Sequence, residues 1–256
     1  SNTVSGNVRD RAFFRQNRAM SSDRSFVIDP EAFPRVVFFT GAGMSQESGV
    51  PTYRGHGGIW HAYAYEDYAC EAAFRRDPVR VWDFHDLRRQ TVAACVPHAG
   101  HEAIAAYAAR HPSTRIVTQN IDGLHQRAGC RDVIELHGSL WGVRCRTCGV
   151  RSIDLSAPIA NRRHTCRQYL RPDIVWFGDA LPVDVFAAAR EAMERASLVV
   201  AIGTSAVVYP AATLPEIARA HGATLVEVNP EDTPLSALYD VICREPAGRA
   251  LARLLP

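Results

Sequence analysis

Val36-Val37-Phe38-Phe39-Thr40-Gly41-Ala42-Gly43-Met44-Ser45-Gln46-Glu47-Ser48-Gly49-Val50-Pro51-Thr52-Tyr53-Arg54-Gly55 is the stretch on which the fold turns. An apolar run of strand length ends in two closely spaced glycines, and a helix start follows. An α/β protein brings backbone N–H groups against a pyrophosphate in this way, at the carboxyl end of a strand. Gly41 and Gly43 permit the tight turn and the close approach, because neither carries a Cβ. The spacing is not the generic G-x-G-x-x-G, so the longer pattern G-A-G-x-S-x-x-S-G-x-P-x-x-R-G carries the specificity.

Outward from this turn, short apolar strands alternate with helical patterns, as in a parallel sheet built from βαβ units. Strands are expected at 35–40, 115–118, 133–136, 197–202 and 223–228, and helices at 99–110, 184–195, 211–221 and 246–254. Residues 56–96 and 141–171 break the rhythm. The first carries aromatics and charges at helical spacing, and the second holds a C-x-x-C pair. The expected architecture is therefore α/β: a Rossmann-like parallel sheet with helices on both faces (26–55, 97–140 and 172–256). A smaller lobe is expected from a helical insertion (56–96) and a zinc-ribbon-like module (141–171), and residues 1–25 read as a flexible arm. Ligands of such a protein belong in the cleft between the lobes.

Composition narrows the function classes. A chain of 256 residues, 47% hydrophobic, can bury a large core. Its net charge of +2 gives no electrostatic case for nucleic acid or an anionic membrane surface. No apolar run reaches the ~20 residues that span a bilayer. Seven cysteines, an odd number with one close pair, fit reduced thiols and a metal site better than a disulfide framework. The reading is of a cytoplasmic monomer.

Further clusters lie at expected strand ends, Thr118-Gln119-Asn120-Ile121-Asp122-Gly123-Leu124-His125, Glu135-Leu136-His137-Gly138-Ser139 and Gly203-Thr204-Ser205-Ala206-Val207-Val208-Tyr209-Pro210, and a fourth is Val175-Trp176-Phe177-Gly178-Asp179. Asn offers a donor and an acceptor and Asp an acceptor, as a carboxamide and a ribose require. Each cluster alone could be a buried strand plus a turn in which Asn, Asp and Gly satisfy local backbone groups. Together and in this order, they resemble the sirtuins, the NAD-dependent protein-lysine deacylases, and most closely the bacterial and desuccinylase branch.

The resemblance implies that Gly41, Ala42, Gly43, Ser45, Glu47, Pro51, Tyr53, Arg54, Gln119, Asn120, Asp122, Gly203, Thr204, Ser205 and Asn229 bind NAD. It implies that Asn120 and His137 are catalytic, with His137 the general base. An imidazole of ordinary pKa near about 6.5 suits that task. Val175, Phe177 and Gly178 would hold the backbone of an acyl-lysine peptide as an added strand. The implied reaction is attack of the acyl-lysine carbonyl oxygen on C1′ of the nicotinamide ribose, followed by attack of a ribose hydroxyl deprotonated by His137. That hydroxyl attacks the imidate carbon and water resolves the intermediate, giving free lysine, nicotinamide and O-acyl-ADP-ribose. Mono-ADP-ribosyl transfer to protein is the alternative from another enzyme class, and a catalytically idle NAD-binding module is a third reading. All 29 basic residues are arginine; with many alanines, this reads as biased base composition rather than avoidance of self-acylation.

The chain departs from the family pattern in three places. Its metal set is incomplete: Cys145, Cys148 and Cys166 match, but Arg163 stands where a third cysteine belongs. Structural zinc through these three and the adjacent His164, or a metal-free module held by packing, are both open. The succinyl-removing branch carries Tyr-x-x-Arg on the small-lobe helix, where this chain has His85-Asp86-Leu87-Arg88. His85 and Arg88, three apart, would share a helix face and converge on one acidic acyl group, while His56 would narrow the pocket. Pro97-His98 replaces the usual Pro-Asn, in a helix-entry role.

Overall fold

The computed structural model describes residues 28–52, 59 and 63–255. The arm read at 1–25, and Tyr53, Arg54 and His56, lie outside the described residues. In chain order the strands are β1 (Val36–Thr40), β2 (Arg115–Thr118), β3 (Val133–Glu135), β4 (Gly138–Cys145), β5 (Arg151–Ile153), β6 (Leu170–Ile174), β7 (Leu198–Ile202), β8 (Thr224–Val228) and β9 (Val241–Cys243). The α-helices are α1 (Tyr65–Tyr68), α2 (Glu71–Arg76), α3 (Pro78–Ala94), α4 (Ala99–Arg110), α5 (Leu124–Arg127), α6 (Val183–Glu194), α7 (Leu214–Ala220) and α8 (Ala247–Leu254).

Six strands form one sheet in the order β3-β2-β1-β7-β8-β9, every neighbouring pair parallel. β1 and β7 are buried along their whole length, as continuous Val/Ile/Phe/Leu runs covered on both faces must be. One face packs on α4 and α8 through Phe38, Ile104, Tyr107, Val200 and Leu251. The other packs on α6 and α7 through Phe39, Met193, Val199, Leu214 and Leu225. Strand order reverses between β1 and β7, so the crevice at their carboxyl ends is the topological switch point.

The smaller lobe is a three-stranded sheet, β5-β4-β6, packed against α2 and α3. Its strands had no counterpart among those expected, and β4 and β6 run across the boundaries drawn at 140 and 172. Gly, Arg and Pro interrupt these strands, which therefore lack the continuous apolar run that marks the larger sheet. Pro78 at the first position and Asp77, whose carboxylate accepts from the Arg80 amide at 3.0 Å, start α3. Trp82 donates its indole N–H to the Leu170 carbonyl at 2.7 Å, and the Asp86 carboxylate accepts from the Ile159 amide at 2.9 Å. Arg89, fully buried, donates to the Leu140 carbonyl at 2.8 Å and the Asp154 carboxylate at 2.9 Å. These bonds join the two insertions into one body.

Candidate active site

The crevice begins where two backbones meet. The Gly41 amide donates to the Ile202 carbonyl and the Gly43 amide to the Gly203 carbonyl, both at 2.9 Å. A Cβ on Gly43 would lie 2.8 Å from the Gly203 Cα. Gly203 itself has φ of +57°, and a Cβ there would lie 2.4 Å from the Met44 nitrogen. Only glycine lets the loops after β1 and β7 touch in this way. A 3-10 turn, Ala42–Ser48, follows and ends on Gly49.

Side chains from three strand ends converge beside this contact. Asn120 donates through Nδ2 to the Gly41 carbonyl at 3.0 Å and to Ser45 Oγ at 3.2 Å. The Ser45 hydroxyl donates to Asp122 Oδ2 at 2.7 Å, and the Leu124 amide to Asp122 Oδ1 at 2.8 Å. Burial raises the Asp122 carboxyl, opposed by these two donors. Gln119 Nε2 donates to Thr204 Oγ1 at 2.9 Å, and Asn229 Nδ2 to the Thr204 carbonyl at 3.0 Å. Thr204 thus knots the ends of β2, β7 and β8 together. Ser205 is exposed at the rim. Ser45, Pro51, Arg88, Asn120 and Asp122 line one cavity.

His137 leaves β3 with its Nδ1 at 2.9 Å from the Gln119 carbonyl. A carbonyl only accepts, so Nδ1 carries the proton and Nε2 keeps its lone pair. Burial lowers the imidazole pKa, against the opposing pull of the Gln119 carbonyl. The His137 carbonyl accepts from the Val175 amide at 2.9 Å, which joins the 175–179 turn to the same corner. In that turn Phe177 and Gly178 are exposed, and the Phe177 ring lies 4.3 Å from that of Tyr65. Arg171, fully buried, sits with its guanidinium carbon 3.8 Å from the centre of the Trp176 ring and bonds to Asp179.

Two expected roles meet a different geometry. His85 is 1% exposed and stacked on Trp176 at 5.8 Å, so its ring does not line the cavity that Arg88 borders. Residues three apart on a helix diverge by about 60°, enough to turn His85 into the lobe's core while Arg88 borders the cavity. Burial, foremost, keeps His85 far below the usual imidazole range. Glu47 turns its carboxylate to the Gly248 amide at 2.6 Å, at the start of α8.

Other contributors went unread. Thr40 and Thr118, aligned across β1 and β2, bond through their hydroxyls at 2.8 Å, and Thr118 Oγ1 accepts from the Asn120 amide at 3.0 Å. Trp141 donates its indole N–H to the Asp122 carbonyl at 2.8 Å. Terminal threonines are visible in each strand, but only the strand register pairs them.

At the far end of the small lobe, Cys145, Cys148, His164 and Cys166 offer four donor atoms, all within 4.8 Å of one another. Cys145 and Cys166 sulfurs are 3.5 Å apart, and His164 Nδ1 is 3.3 Å from Cys166 and 3.6 Å from Cys148. A tetrahedral zinc with bonds of about 2.3 Å has edges of roughly 3.8 Å, so the donor set fits that ion. The Cys148 amide, foremost, holds the Cys145 thiol below its usual range. Arg163 is turned away, its guanidinium carbon 3.8 Å from the centre of the Tyr169 ring.

The chain is similar to known proteins along most of its length. The profile of the Sir2 family matches residues 41–210. An NAD-dependent protein deacylase of Aquifex aeolicus is 43% identical over 222 residues, covering 86% of this chain and 93% of that protein. A Sir2 homologue mutant solved with ADP-ribose is 41% identical with a TM-score of 0.83, over 87% of this chain and 91% of the other. A Sir2 homologue solved with NAD is 42% identical with a TM-score of 0.81, over 87% and 88%.

Proposed function

The chain belongs to the Sir2 family, and we infer that it is an NAD-dependent protein deacylase acting on acyl-lysine side chains of proteins or peptides. In this reading the turn at Gly41–Gly43 and the facing Gly203 take the diphosphate, because glycines without Cβ atoms let an anion approach the backbone at a strand end closely. Asn229 and Ser205 take the adenosine side, and Gln119, Asn120 and Asp122 the nicotinamide side. When bound, NAD supplies the ribosyl carbon that receives the acyl oxygen and releases nicotinamide, so that the acyl group leaves as O-acyl-ADP-ribose. His137 accepts the proton of a ribose hydroxyl at Nε2, its orientation held by the Gln119 carbonyl. Val175, Phe177 and Gly178 bind the substrate backbone. Cys145, Cys148, His164 and Cys166 would hold a structural zinc at the end of the lobe, remote from the chemistry.

One observation carries this reading: the His137 Nδ1 bond to Gln119, the residue before Asn120. It brings the base to the strand end where Ser45, Asn120 and Asp122 are bonded together. The finer reading, tolerance of acidic acyl groups such as succinyl, rests on Arg88 alone, since it borders the cavity and His85 does not. An arginine there offers a two-pronged, permanently charged donor for a carboxylate.

Incubation with NAD and a panel of acetyl, butyryl, succinyl and lactyl peptides tests both levels. O-acyl-ADP-ribose and free lysine are the expected products, and ADP-ribosylated protein in their place would overturn the deacylase reading. Arg88→Met is expected to lose roughly 2–5 kcal/mol of transition-state binding on succinyl-lysine, with little change on acetyl-lysine. Equal losses on both peptides would remove Arg88 from acyl recognition.

A further inference from the structure

His98 does more than enter a helix. Its Nδ1 accepts the Gly100 amide proton at 3.0 Å and its amide faces His101 Nδ1 at 3.4 Å, which closes a capping box at the start of α4. With Nδ1 accepting, the ring proton is on Nε2, which donates to the Met44 carbonyl at 2.6 Å. Met44 lies within the 3-10 turn Ala42–Ser48, and its side chain is fully buried. The next residue, Ser45, holds Asp122 and Asn120. The surroundings are shaped around the imidazole. A Cβ on Gly100 would lie 2.7 Å from its Cε1, and one on Gly248 would lie 3.1 Å from its Nδ1 and 3.0 Å from Glu47. The turn is thus held from behind at two points, its Met44 carbonyl by α4 and its Glu47 carboxylate by the Gly248 amide of α8.

We propose that His98 is a positioning residue for the dinucleotide: by clamping the Met44 carbonyl it pre-organises the 41–45 turn and governs NAD affinity rather than the chemical step. This rests on the NAD reading above. The physical reason is that the turn's glycines carry no side chains to lock them, so ordering must come from outside the turn. An asparagine could still cap α4, since its short side chain reaches the Gly100 amide, but it would fall short of Met44.

His98→Asn and His98→Gln separate the two roles. Asparagine keeps an acceptor for the cap and loses the donor to Met44; glutamine keeps a donor at the depth of Nε2 and weakens the cap. Calorimetry with NAD is expected to show a Kd raised about five-fold in His98→Asn, the effect of one lost hydrogen bond. His98→Gln should bind close to wild type. Saturated kcat should stay within about two-fold in both, and amides 43–46 should exchange faster in His98→Asn without NAD present. An unchanged Kd in His98→Asn overturns the proposal, as does weakened binding in both variants in proportion to their Tm. If the wild-type protein binds no NAD, the functional reading fails instead. Amide exchange then decides the clamp alone, and equal protection at 43–46 in His98→Asn and wild type would overturn it.

Discussion

A single hydrogen bond decides what His137 can do. Bonded to a carbonyl through Nδ1, the ring is held in one tautomer, and the partly buried site favours its neutral form. A base that must be uncharged to act gains from both effects. His137→Ala is therefore expected to lower kcat roughly 10²–10⁴-fold while NAD binding by calorimetry stays close to wild type. Undiminished turnover would remove His137 as the base. This histidine was legible through the resemblance of Glu135-Leu136-His137-Gly138 to the family motif, since a lone histidine at a strand end is more often a satisfied core or capping residue. His85 shows the limit of the same reasoning. Its spacing from Arg88 is a sequence property, but which flank of the helix meets Trp176 is set by packing.

Among the elements, the small lobe holds the most that pattern reading misses. β4 and β6 pair antiparallel with an irregular register between Gly138 and Val143, and β5 is exposed along its length. The lobe has its own buried core around Trp82, Trp141 and Trp176, but the exposed end of its sheet gains from a staple. With zinc bound, the Cys145–Cys148 turn and the His164–Cys166 pair would supply one, His164 standing in for the ligand that Arg163 cannot provide. About one equivalent of zinc is expected in the purified protein, and less than about a tenth of an equivalent would end the metal reading. Chelation, or His164→Ala, should lower the Tm and expose Trp82 and Trp176, which fluorescence can follow. The C-x-x-C was legible because its spacing is local. His164 was legible only as a neighbour of Arg163 that could substitute; that its Nδ1 reaches both Cys148 and Cys166 is decided by the fold.

Across the whole molecule, buried histidines set an acid limit on stability. His101 and His125 are both essentially inaccessible, with ring centres 5.0 Å apart between α4 and α5. Burial, foremost, lowers His101 to about 2 and His125 to about 4. Both are therefore neutral when folded, whereas the unfolded chain takes up protons below about pH 6.5. Their contribution is fully present above that pH and is lost as pH falls through 6.5 toward the folded values. Each histidine should cost up to about 1.4 kcal/mol per pH unit below 6.5. Urea midpoints measured at pH 7.5, 6 and 5 should fall accordingly, and a flat profile would show that the rings find charge partners in the fold.

The amino-acid sequence by itself determined the parallel sheet, the glycine turns and the identity of the polar residues at the strand ends. These depend on local properties: strand-length apolar runs, missing Cβ atoms and residues adjacent in the chain. Only the tertiary structure decided that Gly203 backs onto Gly43, that Thr40 pairs with Thr118, that Glu47 faces α8 and that His98 reaches Met44. Each of those contacts joins segments far apart in sequence, and their geometry follows from strand order and helix packing, which no short stretch of chain encodes.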